Sequence, residues 1–126
     1  ISCTFLSCSR GFIVTVEGKY GDAVYFRFHD PVDGKITKYN VIELIIQEKK
    51  EGNQWDVIWA LSGEQSIDEV QYGKKYEGFN EITQPRVLSL KGEYRVHVKD
   101  MPRFEPPGYG YARFTFNESG EIVMLR

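Results

Sequence analysis

Period-two alternation of apolar residues, a heavy aromatic content and turn signals at regular spacing predict an all-β fold, a two-layered antiparallel sandwich of short strands. The chain of 126 residues carries 8 Tyr, 8 Phe and 2 Trp beside many Val, Ile and Thr, types that suit a pleated, half-buried surface better than a helix. At 41% hydrophobic and 27% charged it falls in the range of one domain, long enough to bury a core without metal or disulfide staples.

The strands follow in order. Phe12, Val14 and Val16 alternate with Ile13, Thr15 and Glu17, and beyond residues 18–22 Val24, Phe26 and Phe28 alternate with Tyr25, Arg27 and His29. Such alternation sends one set into a core. Residues 29–35 hold Asp30, Pro31, Asp33 and Gly34, a turn in which Pro presets φ and Gly accepts a positive φ. The longest run, residues 36–49, sets Ile42, Leu44 and Ile46 on one face and Val41, Glu43, Ile45 and Gln47 on the other. Its β-branched density predicts a central strand. The mixed charges of residues 48–51, followed by Gly52 and Asn53, predict a solvated hairpin turn into Trp55, Val57, Trp59 and Leu61, which alternate with Asp56, Ile58 and Ala60.

Residues 62–68 are polar, residues 69–72 can form a short strand, and residues 73–79 read as a loop despite Tyr76 and Phe79. Pro85 bounds a further extended piece over residues 86–90. Lys91 and Gly92 turn into Tyr94, Val96 and Val98, alternating with Glu93, Arg95 and His97, whose face should meet water. After a Pro- and Gly-rich segment, Ala112, Phe114 and Phe116 share a face, and residues 117–120 turn the chain into a last strand over residues 121–125. This spacing predicts an immunoglobulin-like or fibronectin type III-like antiparallel β-sandwich of about 7–9 strands, filling residues 11–126 as a single domain.

Charge narrows the partners. With 16 basic and 18 acidic residues, the net charge of -2 and the lack of a Lys/Arg block predict no nucleic-acid binding. No stretch approaches the roughly 20 apolar residues that span a bilayer as a helix. A membrane is therefore expected as a partner only through a lipid anchor.

The chain begins at Ile1 rather than Met, and its opening is apolar and small, so residues 1–10 read as a signal remnant or a lipid-anchor linker, the tail of something longer. The two cysteines, Cys3 and Cys8, both lie here. A disulfide between them would enclose too short a loop to staple the domain. Phe5-Leu6-Ser7-Cys8-Ser9 resembles the end of a bacterial lipoprotein signal, in which a short apolar run and a small residue precede the lipidated cysteine. The resemblance implies lipid attachment at Cys8, with Cys3 in Ile1-Ser2-Cys3 as a second candidate. A frayed N-terminus with two ordinary thiols is the alternative. The stretch 59–98 is likewise similar to sandwich modules of uncharacterised bacterial envelope lipoproteins, through Trp59-Ala60-Leu61, Val70-Gln71-Tyr72-Gly73, Glu77-Gly78-Phe79, Pro85 and Leu90-Lys91-Gly92-Glu93-Tyr94. It implies a location, the cell envelope or the exterior, rather than an activity.

Catalysis needs a nucleophile beside a base, or a metal, and two histidines make a thin inventory. His29 and His97 have no companion at ligand spacing, so no metal, cofactor or enzymatic activity is expected. Asp30 and Asp33 lack the rest of a calcium loop, the glycines form no phosphate cradle, and Asn117-Glu118-Ser119, though a glycosylation sequon, reads as a hairpin turn. The most distinctive irregular segment is residues 101–111, where Pro102, Pro106 and Pro107 limit chain entropy and Arg103, Phe104, Tyr109 and Tyr111 supply side chains common at recognition surfaces. Those four are the candidate partner-binding residues. The competing and preferred expectation is structural: Phe104 and Tyr109 fold back to cap the end of the sandwich. The leading functional class is a non-enzymatic interaction module binding another envelope or secreted protein. An inhibitor or immunity protein acting on a hydrolase or toxin through that loop, and a small-ligand-binding envelope protein, are the alternatives.

Overall fold

The computed structural model describes residues 11–126. Among these residues nine strands run in order: β1 (Gly11–Gly18), β2 (Val24–His29), β3 (Tyr39–Lys49), β4 (Trp55–Ile67), β5 (Glu69–Gln71), β6 (Phe79–Thr83), β7 (Glu93–Asp100), β8 (Gly108–Phe116) and β9 (Ile122–Leu125). They join in one sheet of order β5-β2-β1-β8-β7-β3-β4-β6, with β9 added on β8. Every pairing is antiparallel except β1 with β8, where residues 11–13 lie parallel to residues 109–111. The all-β, mostly antiparallel expectation therefore holds. The two separately bonded sheets of a sandwich are not what the ladder forms: it is continuous and curls into a half-barrel.

Chain continuity explains the curl. β4 ends at Ile67, paired with Tyr39 of β3, and one residue later β5 begins and pairs with β2. The Phe28 amide donates to the Asp68 carbonyl at 3.0 Å, bridging that residue as well. A nearly unbroken extended run thus ties the β2 end of the sheet to the β3 end, and the sheet must bend round its apolar face.

That face is the one alternation predicts for β1, β2, β7 and β8. Phe12, Val14, Val16, Val24, Phe26, Phe28, Tyr94, Val96, Val98, Ala112, Phe114 and Phe116 are all buried. Each large side chain so buried contributes about 1.5–3 kcal/mol relative to exposure. The central hairpin departs from the pattern. Register shifts between Val41 and Glu43 against both neighbours, so Val41 is buried with Leu44 and Ile46 instead of facing away from them. A second shift between Ile46 and Gln47 leaves Ile58 as the extra residue of β4, and residues 58–61 are buried in succession. An inserted residue reverses the facing of everything beyond it. The Glu51–Asn53 turn joins this hairpin as expected, with Gly52 and Asn53 both at positive φ.

Two segments differ from expectation. Residues 79–83, where the sequence suggests the end of a loop and no strand, form edge strand β6, in which Glu81 accepts a hydrogen bond from Trp59 Nε1 at 3.1 Å. Residues 86–90 form no strand. They cross β4, the Arg86 amide donating to the Ile58 carbonyl at 3.1 Å, and bring Leu88 and Leu90 against the core.

Candidate binding surface

The outer face of β1, β8 and β7 carries an exposed aromatic row. Pairing sets Ile13 beside Tyr111, Tyr111 beside His97, and Tyr109 beside Lys99. Because inward residues of these strands fill the core, the intervening ones face out: Ile13, Tyr109 and Tyr111 are each about half exposed, at 46%, 54% and 50%. His97 packs its ring 5.0 Å from that of Tyr111, and the Lys99 ammonium lies 5.9 Å from the Tyr109 ring centre. Desolvation by its neighbours, and then repulsion from Arg95, hold the His97 imidazole below its ordinary pKa. Lys99 forms no ion pair among the described residues.

Inside, β8 tapers. Gly108, Gly110 and Ala112 precede Phe114 and Phe116 on the buried side. A Cβ on Gly110 would lie 2.6 Å from both the Phe12 ring and the Val14 side chain, so only glycine lets β1 cross β8 this closely. The space is taken by Phe12, stacked on Tyr39 at 4.4 Å between ring centres. Packing below thus fixes the backbone that presents Tyr109 and Tyr111 above.

The β7–β8 connection, residues 101–107, extends this surface. Asn40 holds its root: the Met101 amide donates to the Asn40 carbonyl at 3.0 Å, and Asn40 Nδ2 donates to the Met101 carbonyl at 2.9 Å. The Asn40 amide in turn donates to the buried Asp100 carboxylate at 3.1 Å. Beyond this clamp Arg103 is exposed and Phe104 is 90% exposed, with the guanidinium 5.9 Å from the ring centre. The expected capping of the core by Phe104 and Tyr109 is therefore overturned. At that end of the core Phe12 already stacks on Tyr39, at 4.4 Å between ring centres. A depression of about 390 Å³, lined by Asn40, Ile42, Glu64, Met101, Pro102 and Arg103, adjoins the loop.

The four candidate residues therefore fall on one loop and the strand it feeds. Ile13, His97 and Lys99 join them, and sequence reasoning did not assign these three a role. Their signal was present in the alternation, which set Ile13 and His97 on faces opposite the core, but only pairing across β1, β8 and β7 shows them as neighbours. Cys3 and Cys8 lie outside the described residues.

His29 is engaged structurally. Its Nδ1 donates to the Gly34 carbonyl at 3.0 Å and its Nε2 meets Thr15 Oγ1 at 2.8 Å, fastening the 30–35 turn to β1. The 30–33 segment is the plain turn expected, with the Asp30 carboxylate accepting from the Val32 and Asp33 amides. Asn117 likewise closes the β8–β9 hairpin by accepting from the Ser119 and Glu121 amides, both at 2.9 Å.

No protein-family model, curated protein or solved structure matches the chain.

Proposed function

We propose that the protein is a non-enzymatic interaction module of the bacterial cell envelope or exterior, docking a protein partner on the outer face of β1, β8 and β7 beside the 101–107 loop. The observation that carries this reading is the exposure of Phe104, Tyr109 and Tyr111 next to the cations of Arg103 and Lys99, on a backbone held by Gly110 below and Asn40 at the loop root. Tyr and Arg dominate the energetic centres of protein interfaces, and a held loop loses little entropy on binding. The cations suit an apolar partner surface rimmed by carboxylates. Envelope placement rests on the resemblance of residues 5–9 to a lipoprotein signal, with lipid on Cys8 or Cys3. An intact mass lacking a lipid-sized increment in membrane-associated material would remove that part.

The half-barrel fits an immunoglobulin-like or fibronectin type III-like sandwich whose layers are β5-β2-β1 and β8-β7-β3-β4-β6, with β1 bonded into both. The ring contact of Phe26 with Phe114, 6.0 Å apart on strands that are not hydrogen-bonded neighbours, supports two facing layers. A crystal structure with the facing layers about 10 Å apart would support the assignment, and a wider, hydrated interior would oppose it.

The docking test is quantitative capture from the envelope fraction of the source cell, with partners identified by mass and affinities measured on the purified pair. A protein bound by the wild type and lost by the Arg103→Glu, Tyr109→Ser double variant, with thermal stability unchanged, supports the proposal. Equal capture by both forms overturns it. If the partner is a hydrolase or toxin whose activity falls on binding, the module is an inhibitor.

A further inference from the structure

At the opposite end of β8 a second feature has a different chemistry. The turn between β1 and β2 is pinned to the β8–β9 hairpin by the Tyr20 amide, which donates to the Gly120 carbonyl at 2.8 Å, and by the Lys19–Glu121 bridge. This stands the Tyr20 ring edge-to-face on Phe116, with centres 5.5 Å apart at 69°. Across from them, Tyr72 is held by its amide to the Val24 carbonyl at 2.8 Å and by its hydroxyl, which donates to the Arg86 carbonyl at 2.7 Å. Between these walls lies an open cleft of about 280 Å³, which Val87 and Leu88 also line. Burial pushes the Tyr72 phenol well above its ordinary pKa.

Among the described residues three aromatic rings line this cleft, and the one charged lining residue is Asp22. No Lys or Arg lines it, and Asp22 forms no ion pair among the described residues. Ring faces are negative and attract cations, and a carboxylate at the rim adds to that field. The volume falls just below the roughly 300–1,000 Å³ of drug-sized ligand sites, which limits the occupant to about one ring or a short branched chain. We infer that this cleft binds a small organic cation, an aromatic or branched-alkyl ammonium compound, with its apolar body against Tyr72 and Leu88 and its charged head beside Tyr20 and Asp22.

A reporter is built in. Trp59 meets Tyr72 edge-on at 5.1 Å between ring centres, so filling the cleft changes its surroundings and hence the indole emission. Phenethylammonium is the probe, and phenethyl alcohol, nearly the same shape without the charge, is its control. The inference expects saturable binding of the ammonium, followed by tryptophan emission and calorimetry, about tenfold tighter than the alcohol. Asp22→Asn should erase most of that difference and Tyr20→Leu should weaken the ammonium more than the alcohol, both variants keeping the near-ultraviolet circular dichroism of the wild type. Equal affinity for the two compounds, an unchanged preference in Asp22→Asn, or no saturation with the ammonium would overturn it.

Discussion

The two ends of β7 and β8 share strands and a common core, yet their outer faces are finished differently. At the end holding Arg95 and Arg113 the polar groups are tied to one another. Arg113 pairs with Glu93 at 2.5 Å and donates to the Arg126 carbonyl, while Arg95 donates to Gln47 at 2.6 Å and lies 4.2 Å over the Trp55 ring. At the end holding Tyr109, Tyr111, His97 and Lys99 the side chains touch but form no ion pair among the described residues. Cross-strand pairs of the first kind hold a sheet together, whereas an exposed aromatic row does little for the isolated fold. One end is thus finished for stability, and the other is available for contact.

The largest effects should come from beneath both ends. Phe114→Ala, under the paired end, removes a fully buried ring stacked on Tyr94 and should cost about 3–5 kcal/mol in urea unfolding. Under the open end, Gly110→Ala forces a methyl group against Phe12 and Val14 and should cost about 1–3 kcal/mol by the same measurement. A neutral result there would break the claim that close packing sets the position of the aromatic row.

Next in size is the hydroxyl of Tyr94, which donates to Glu48 at 3.0 Å and accepts from the Ser89 amide at 2.5 Å. Tyr94→Phe should lose about 1 kcal/mol at neutral pH. Burial raises the pKa of this phenol, as it does that of Tyr72. Both therefore stay protonated in the fold at a pH where the unfolded chain ionises. Stability should hold below about pH 10 and fall as pH rises beyond it, and Tyr94→Phe should shrink that alkaline loss. Thermal melts across that range check both statements.

On the surface the two ends can be set against each other directly. The Tyr109→Ser, Tyr111→Ser double variant should change stability by no more than about 0.5 kcal/mol, while Arg113→Ala should lower the melting temperature measurably. The reverse ranking would show that the aromatic row serves the fold and not a partner. The smallest effect belongs to His97. Because its folded pKa is lowered, the unfolded chain takes up the proton first. Its contribution is therefore intact above about pH 6.5 and falls as pH drops below that value, until the folded form is protonated too. His97→Gln should flatten this acid-side slope in melts between about pH 7 and pH 5.

Most of the core was legible because β1, β2, β7 and β8 alternate without interruption. Val41 and Ile58 were not, since a bulge is decided by register against partners far along the chain and leaves no mark in local periodicity. β6 was hidden because its place depends on β4, including the Trp59–Glu81 bond. Phe104 was misplaced by the expectation that an aromatic seeks the nearest core, when Phe12 and Tyr39, distant in sequence, already stack there. The cleft at Tyr20 was illegible for the same reason: Tyr20, Tyr72 and Phe116 come from three separate parts of the chain.

The parallel pairing of residues 11–13 with residues 109–111 also governs when the molecule can form. β1 must wait for β8, far along the chain, and pairings of such long span are slow to close. During synthesis β1 and β2 can meet as a hairpin, but the seam with β8 stays open until residues 109–111 have emerged. The half-barrel therefore closes along that seam only after β8 is in place, however early its first hairpin forms.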